Sequence, residues 1–189
     1  MRLPYVSNPP EVTDAKDRAI VERVQQRRGS YGLLELDLAL LHAPPVADGW
    51  NSFLGAIRTQ TSLSTSLRET AICRVAVLNK AWFEWSHHAP LLEECPGITA
   101  EHVKSILDSP PHKLEGTEID EKHSAVMAYT DAMTLEVSVP EDVFARLKGN
   151  FEDKEIVEIT ATIAAYNCVS RFLVALDVGE KNGTGRPEI

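Results

Sequence analysis

Cysteine is scarce in this 189-residue chain, and Cys73, Cys95 and Cys168 lie far apart in the sequence. No two of them form a C-x-x-C motif, and their positions do not match the ligand spacing of a zinc site. An odd number of dispersed cysteines argues against a disulfide framework and favours a reducing compartment. Residues 1–13 also lack the pattern of a signal peptide, in which charged residues are followed by an apolar stretch, so we expect a cytoplasmic protein.

Basic residues are also in the minority, with 19 Lys and Arg against 28 Asp and Glu and a formal net charge of −9. Such a surface repels a phosphate backbone, and no Lys/Arg cluster offsets the deficit, so we expect no nucleic-acid partner. A small anionic ligand would need a local cation. Arg58, Arg74 and Arg171 are the candidates for that cation.

The chain has no uninterrupted apolar run long enough to cross a membrane. The longest run, over residues 159–178, contains Asn167, Ser170, Arg171 and Asp177, which predicts a buried helix and no membrane partner. Strand patterns are missing too, because no segment alternates strictly between apolar and polar residues and no Asn-Gly pair separates two apolar runs. The sequence therefore predicts an all-α fold.

Helical periodicity and end signals predict about eight helices in one domain, which suits a chain of this length. A short helix over residues 33–42 is expected to stop before Pro44-Pro45, and the next to begin near Val46. Residues 108–117 contain two prolines and a glycine and predict a loop. We expect an N-terminal arm over residues 1–12, a single-domain helical bundle over 13–179 and a flexible C-terminal tail over 180–189.

The segment of residues 63–92 carries the most informative pattern. It predicts two helices separated by a break at Asn79-Lys80. On the second helix Glu84, Trp85 and His88 share a face that is otherwise apolar. Burying a carboxyl group and an imidazole costs several kcal/mol unless they pair or change their protonation state. The pair is therefore either a candidate functional site or an ordinary i, i+4 pair without chemical consequence.

Glu69 on the preceding helix also has two interpretations. Ser66-Leu67-Arg68-Glu69 fits the S-x-x-E capping box, in which the glutamate serves only its own helix N-terminus. If Ser64 is the N-cap instead, Glu69 lies further inside the helix and is available to a site.

These residues resemble the carboxymuconolactone decarboxylase family, within the superfamily that also holds the alkylhydroperoxidase D-like proteins. The resemblance is clearest at Leu63-Ser64, Arg68-Glu69, Leu78-Asn79 and Trp82-Phe83-Glu84-Trp85-Ser86-His87-His88. Weaker agreement extends from Arg27-Arg28-Gly29 to Gly179 and includes Tyr166-Asn167 and Arg171-Phe172-Leu173. It implies a carboxymuconolactone decarboxylase-like helical domain of the alkylhydroperoxidase D type. It also implies a homo-oligomer, commonly trimer-based, with sites near subunit contacts.

The sequence departs from the peroxide-reducing branch at the two redox cysteines of that branch, which would fall at Ala81 and Glu84. A disulfide relay needs an attacking thiolate and a resolving thiol, so alkylhydroperoxidase or peroxiredoxin activity is not expected here. Glu69, Glu84 and His88 remain as the catalytic candidates. The resemblance then implies a cofactor-independent carboxy-lyase for a small carbonyl-containing acid or lactone.

Decarboxylation next to a carbonyl leaves an enolate, which needs oxyanion stabilisation and then a proton. A Glu84 desolvated beside Trp82 and Trp85 would hold that proton at neutral pH. His88 would act as the base or as hydrogen-bond donor to the enolate, and Glu69 would orient it. The roles of Glu84 and His88 can be exchanged, and hydration-dehydration and isomerisation need the same groups.

The substrate-binding candidates lie on two helices. Trp85 shares the face of Glu84 and His88 and is assigned to the substrate, with Trp82 beside it. The polar side chains of the last helix line the pocket from the opposite side or form a subunit interface; they are Tyr166, Asn167 and Arg171. The other histidines, among them His102 and His123, lie near helix ends and are predicted to be solvated.

Three further hypotheses remain open. Two carboxylates and a histidine could bind a divalent ion, but His87 and His88 point about 100° apart on a helix, so we expect no metal. The chain could be a non-catalytic oligomeric binding protein in which Glu84 and His88 are a structural pair. It could also be a peroxidase that uses one remaining cysteine.

Overall fold

A computed structural model describes residues 1–113 and 119–187. These residues form nine α-helices and no strand, which confirms the predicted all-α class. The helices are α1 Ala15–Arg28, α2 Glu35–Leu40, α3 Pro44–Thr59, α4 Thr65–Leu78, α5 Trp82–Glu93, α6 Ala100–Asp108, α7 Glu121–Leu135, α8 Glu141–Lys148 and α9 Asp153–Leu176. The part of the predicted loop over residues 114–118, and the last two residues of the predicted tail, lie outside the described residues.

The chain divides into two compact units, Met1–Gln60 with Leu176–Glu180, and Thr61–Ala175 with the chain from Lys181 onward. The prediction of one domain over residues 13–179 stays a prediction. In the first unit α1 packs against α3. The predicted arm is attached within the same unit, because Arg2 N donates to Leu176 O at 2.8 Å and Gly179 N donates to the Tyr5 hydroxyl at 2.9 Å.

Pro44 and Pro45 begin α3, whereas the sequence analysis expected them to precede it. Ala43 is the N-cap, so both prolines lie in the first turn. The amide groups of a first turn have no acceptor within the helix, so a residue that lacks an N–H is tolerated there. The preceding helix α2 is correspondingly shorter than the predicted range of residues 33–42.

The second unit is built around α4. Its neighbours are α5, α6 and α7, and its middle residues Ile72, Cys73, Val75 and Ala76 have no exposed surface. A helix that is covered on several faces must be apolar on several faces. The polar side chains that α4 retains therefore need partners within the unit.

The ends of α4 determine how it meets α5. Ser64 is the N-cap, with its hydroxyl accepting a hydrogen bond from Leu67 N at 3.3 Å. At the other end Lys80 has a φ of 54°, and Ala81 N donates to Ala76 O at 2.8 Å. This is the hydrogen bond of a Schellman-type ending, which reverses the chain direction. The predicted break at Asn79-Lys80 is confirmed.

Replacement of Ser64 by alanine is expected to lower the free energy of unfolding by about 1 kcal/mol, because the N-cap acceptor is lost. Ser66→Ala is the matched control, because Ser66 Oγ contacts Ser64 Oγ at 3.1 Å but Ser66 stands at the second helical position, which needs no capping side chain. We expect this control to change the free energy of unfolding by less than about 0.5 kcal/mol. Urea unfolding of both variants measures the difference. A larger loss from Ser66→Ala would favour the capping box that includes Glu69.

A fully buried ion pair joins α4 to α7. Arg74 Nε and Nη2 donate to the two carboxylate oxygens of Asp131 at 2.6 and 2.9 Å, and neither residue has exposed surface. Arg74 Nη1 donates to Ile106 O and Ser109 O, each at 2.9 Å, and His112 N donates to Asp131 Oδ2 at 2.9 Å. Arg74 is thus engaged in the interior and is not the cation for an anionic ligand that the sequence suggested.

Helix α9 is the one helix of the described chain that is long and apolar enough to cross a membrane. Its inner face is nevertheless packed within the protein, with Thr162, Ile163 and Tyr166 fully buried. The sequence predicted a buried helix here, and the inner face of α9 is buried.

Candidate active site

Glu69 of α4 and His88 of α5 form a buried hydrogen-bonded pair. His88 Nδ1 lies 2.6 Å from Glu69 Oε2, and the two residues are only 7% and 3% exposed. Because Ser64 is the N-cap, Glu69 is the fifth residue of α4 and its side chain points to the neighbouring helix. The capping-box interpretation of Glu69 is therefore wrong, and the structure brings two of the three catalytic candidates into contact.

The surroundings of Glu69 determine its charge. Burial raises the pKa of its carboxyl group, but the hydrogen bond and the charge of His88, together with Arg68, lower the pKa by more. The net shift is downward, so Glu69 is ionised at neutral pH. A carboxylate accepts the Nδ1 proton of His88, which makes Nε2 the imidazole nitrogen that can exchange a proton with a substrate.

Glu84 is buried one helical turn before His88 on α5. It is 2% exposed, and both of its carboxylate oxygens are shielded from solvent. Because Glu84 and His88 are four residues apart on α5, their side chains lie on the same side of that helix.

The three cysteines are free. Cys73 is fully buried, and burial raises the pKa of its thiol well above the ordinary value. Burial also raises the pKa of Cys95, whose Sγ donates to Leu91 O at 3.2 Å. Cys168 is exposed on α9. Thiol chemistry needs an accessible thiolate of lowered pKa, and neither Cys73 nor Cys95 provides one.

The predicted aromatic contacts fall into two groups. Trp85 is buried in an apolar cluster between α4, α5, α6 and α7, and Trp82 packs against the same cluster. Contact of these tryptophans with a substrate stays a prediction. Tyr166 of α9 meets the candidate pair directly, because its ring lies edge-on to the His88 ring with the centroids 5.1 Å apart.

Asn167 and Arg171 belong to a polar network beside the end of α4. Asn167 Oδ1 accepts from Asn79 Nδ2 at 3.1 Å, and Asn167 Nδ2 donates to Thr134 Oγ1 at 3.0 Å. Arg171 is exposed and donates to the Asn167 side chain. The network connects α4, α7 and α9. Its predicted role in substrate binding stays a prediction.

Arg68 is a site residue that the sequence analysis did not select. Its Nε donates to Glu69 Oε1 at 3.3 Å, and its side chain is 13% exposed. The signal was present, because Arg68-Glu69 is one of the dipeptides that carry the family resemblance. Whether Arg68 belongs to the site depends on the direction of the Glu69 side chain, which helical periodicity does not reveal.

Two further histidines, one on α6 and one on α7, form a second cluster. His102 and His123 meet edge to face with ring centroids 4.8 Å apart, and Asp120 Oδ2 lies 2.6 Å from His123 Nδ1. Burial and the neighbouring His123 lower the pKa of His102 to about 4. The prediction that His102 is solvated is wrong, because this residue is buried against Thr70 of α4.

No metal site is formed by the described residues. Over 1–113 and 119–187, no three His, Cys, Asp or Glu side chains lie close enough together to hold an ion.

Comparison with other proteins identifies the fold. No family model matches the sequence, and no curated protein matches it either. Several solved structures do match, and three of them are described here. A protein of unknown function from Agrobacterium tumefaciens, described as an AhpD antioxidant defence protein, is 21% identical with a TM-score of 0.62 over 78% of this chain and 94% of that one. An uncharacterized peroxidase-related protein from Silicibacter sp. TM1040 is 14% identical with a TM-score of 0.71 over 95% of each chain.

The third is an uncharacterized peroxidase-related protein from Ralstonia eutropha JMP134 with an alkylhydroperoxidase AhpD core. It is 17% identical with a TM-score of 0.71 over 94% of this chain and 90% of that one. Likeness at such low identity concerns the fold alone. The chain therefore has the AhpD-like all-α fold that the sequence resemblance implied.

Proposed function

We propose that this AhpD-like chain is a cofactor-independent acid-base enzyme acting on a small carbonyl-containing acid or lactone. The observation that carries the proposal is the 2.6 Å hydrogen bond between Glu69 and His88 in a buried setting, with Glu84 one turn away on the helix of His88. Carboxy-lyase chemistry is the reaction class that the family resemblance implies. Related lyase or isomerase chemistry would use the same groups.

The pair supplies what an enolate-forming reaction needs. When a bond to the carbon beside a carbonyl breaks, as CO2 or a proton leaves, its electron pair moves onto the carbonyl oxygen. His88 Nε2 accepts or donates the proton at the reacting centre, and the Glu69 carboxylate stabilises the imidazolium through Nδ1–H. Glu84, buried one turn before His88 on α5, is the group that we propose delivers a proton to the enolate carbon. Exchange of these two roles gives the same products.

Peroxide reduction is the second candidate, because two of the structural relatives are described as peroxidase-related. In this chain the positions expected to hold redox cysteines are Ala81 and Glu84. The raised pKa of the thiols of Cys73 and Cys95 also disfavours attack on a peroxide. These residues support the acid-base proposal over the thiol-based one.

The proposal includes a homo-oligomer, trimer-based as the resemblance implies, in the reducing environment of the cytoplasm. The second unit exposes large apolar side chains, including Val137 and Val157, which are 84% and 66% exposed. An interface between subunits is expected to bury such groups.

The proposed function is tested by exchange of hydrogen for deuterium beside the carbonyl of small oxo acids. The protein is incubated in D2O with acetoacetate, levulinate or an unsaturated γ-lactone carboxylic acid, and exchange and CO2 release are followed by NMR. We expect catalysis that survives alkylation of the thiols with iodoacetamide. Absence of exchange over this panel, or peroxide reduction abolished by the alkylation, would contradict the proposal.

A further inference from the structure

Resting on the proposed function, we propose that Arg68 binds a carboxylate of the substrate beside the Glu69–His88 pair. The substrates are then carboxylic acids in preference to neutral ketones, lactones or esters. The anchored carboxylate is one that the reaction retains, because an ionic contact to a carboxylate that leaves as CO2 would stabilise the substrate more than the transition state.

The geometry of Arg68 fits this role. A guanidinium group presents five N–H donors in a planar fork, and Nε–H is directed to Glu69 Oε1 at 3.3 Å. Within the described residues, no hydrogen bond is made by the two Nη groups of Arg68. These groups can donate side by side to the two oxygens of one carboxylate. The Arg68 side chain is 13% exposed, so it is largely desolvated without being sealed from solvent.

The other arginines of the second unit are engaged elsewhere. Arg74 is paired with Asp131, Arg146 with Glu121, Arg171 with Asn167 and Arg186 with Asp108. Arg68 is the arginine of the described part of this unit that contacts the catalytic pair. Because the chain has a net charge of −9, its overall field repels anions. Recognition of an acid therefore needs a cation at the reacting groups themselves.

The charges around Glu69 also favour the binding of a second carboxylate, from the substrate, to Arg68. Glu69 is shared between His88 and Arg68, and the hydrogen bond to His88 is the shorter one, 2.6 Å against 3.3 Å. Arg68 is thus only partly neutralised by a carboxylate whose principal partner is the imidazole. A mostly buried and only partly neutralised cation is stabilised when it binds a further carboxylate, because charge-assisted hydrogen bonds are stronger than neutral ones in such surroundings.

The test compares levulinate with methyl levulinate, which differ in the negative charge. Binding of each is measured by calorimetric titration to the full-length protein and to Arg68→Met, Arg68→Lys and Arg186→Met. We expect wild type to bind levulinate at least about tenfold more tightly than the ester. Arg68→Met should weaken levulinate binding by about 10- to 100-fold and leave ester binding nearly unchanged. Arg68→Lys should retain part of the preference, because it keeps the charge but loses the fork.

Arg186→Met is the matched control, since it removes an arginine whose partner is Asp108, and it should keep the full preference for the acid. Equal binding of acid and ester by wild type, or an equal loss of both in Arg68→Met, would overturn the inference. Measuring hydrogen exchange beside the carbonyl of methyl levulinate distinguishes failure of this inference from failure of the proposed function. If exchange depends on His88 but the protein does not prefer the acid to the ester, only the role of Arg68 is wrong. If the protein prefers the acid through Arg68 but exchange does not depend on His88, the proposed function is wrong.

Discussion

Replacement of His88 by alanine is expected to lower the rate of exchange beside the substrate carbonyl by about 10²–10⁴-fold. This is the usual contribution of a positioned general acid or base. The imidazole is the one group of the pair whose ordinary pKa lets it both take up and release a proton near neutral pH. Glu69→Gln should lower the rate by about 10²–10⁴-fold as well, because an amide neither fixes the Nδ1–H tautomer nor stabilises the imidazolium.

His87→Ala is the control for this prediction. His87 is the neighbour of His88 on α5, but its ring lies against Phe83, and Nδ1 is 2.8 Å from Phe83 O. We expect this variant to exchange at the wild-type rate. The rates are measured by NMR in D2O on variants whose helical content and melting temperature are first shown to match the wild type. Full activity of His88→Ala would remove the acid-base mechanism.

Replacement of Arg74 by methionine is expected to lower the free energy of unfolding by about 3–5 kcal/mol. That range is typical when one partner of a buried ion pair is removed and the other stays behind as an uncompensated charge. Asp131 would keep the hydrogen bond from His112 N but lose both guanidinium contacts. Ile106 O and Ser109 O would lose their donor in the same step.

Urea unfolding measures this loss, and Arg146→Met is the control. Arg146 forms a two-point pair with Glu121 of similar geometry, with distances of 2.8 Å, but both side chains are partly exposed. Its removal should cost about 1 kcal/mol or less. The double variant Arg74→Met with Asp131→Leu should be more stable than Arg74→Met alone, because the buried charge goes with its partner. Equal losses in the Arg74→Met and Arg146→Met variants would show that burial does not determine the strength of this pair.

Much of the fold could be predicted because its signals are local. The break at Asn79-Lys80, which follows the helix end at Leu78, depends on residues within one or two turns. The error at Pro44-Pro45 has a local cause too, because proline either ends a helix or occupies its first turn. The choice between the two depends on where the preceding chain leads.

The candidate site was only partly predictable. A shared helical face selected Glu84 and His88, since both lie on α5, and the resemblance added Glu69. The partner of His88 is 19 residues away and that of Arg74 is 57 residues away, so neither pair follows from periodicity. The buried position of His102, expected to be solvated at a helix end, likewise depends on the neighbouring helices.

The sequence by itself determined the all-α class, most helix boundaries and the absence of a redox C-x-x-C, because spacing along one chain is sufficient for each. The tertiary structure alone decided that Glu69 points to His88, that Arg68 stands beside them and that Arg74 is engaged in the interior. Hydrogen bonds and ion pairs between helices depend on the distance between side chains in space. That distance is determined only when α4, α5 and α7 pack together.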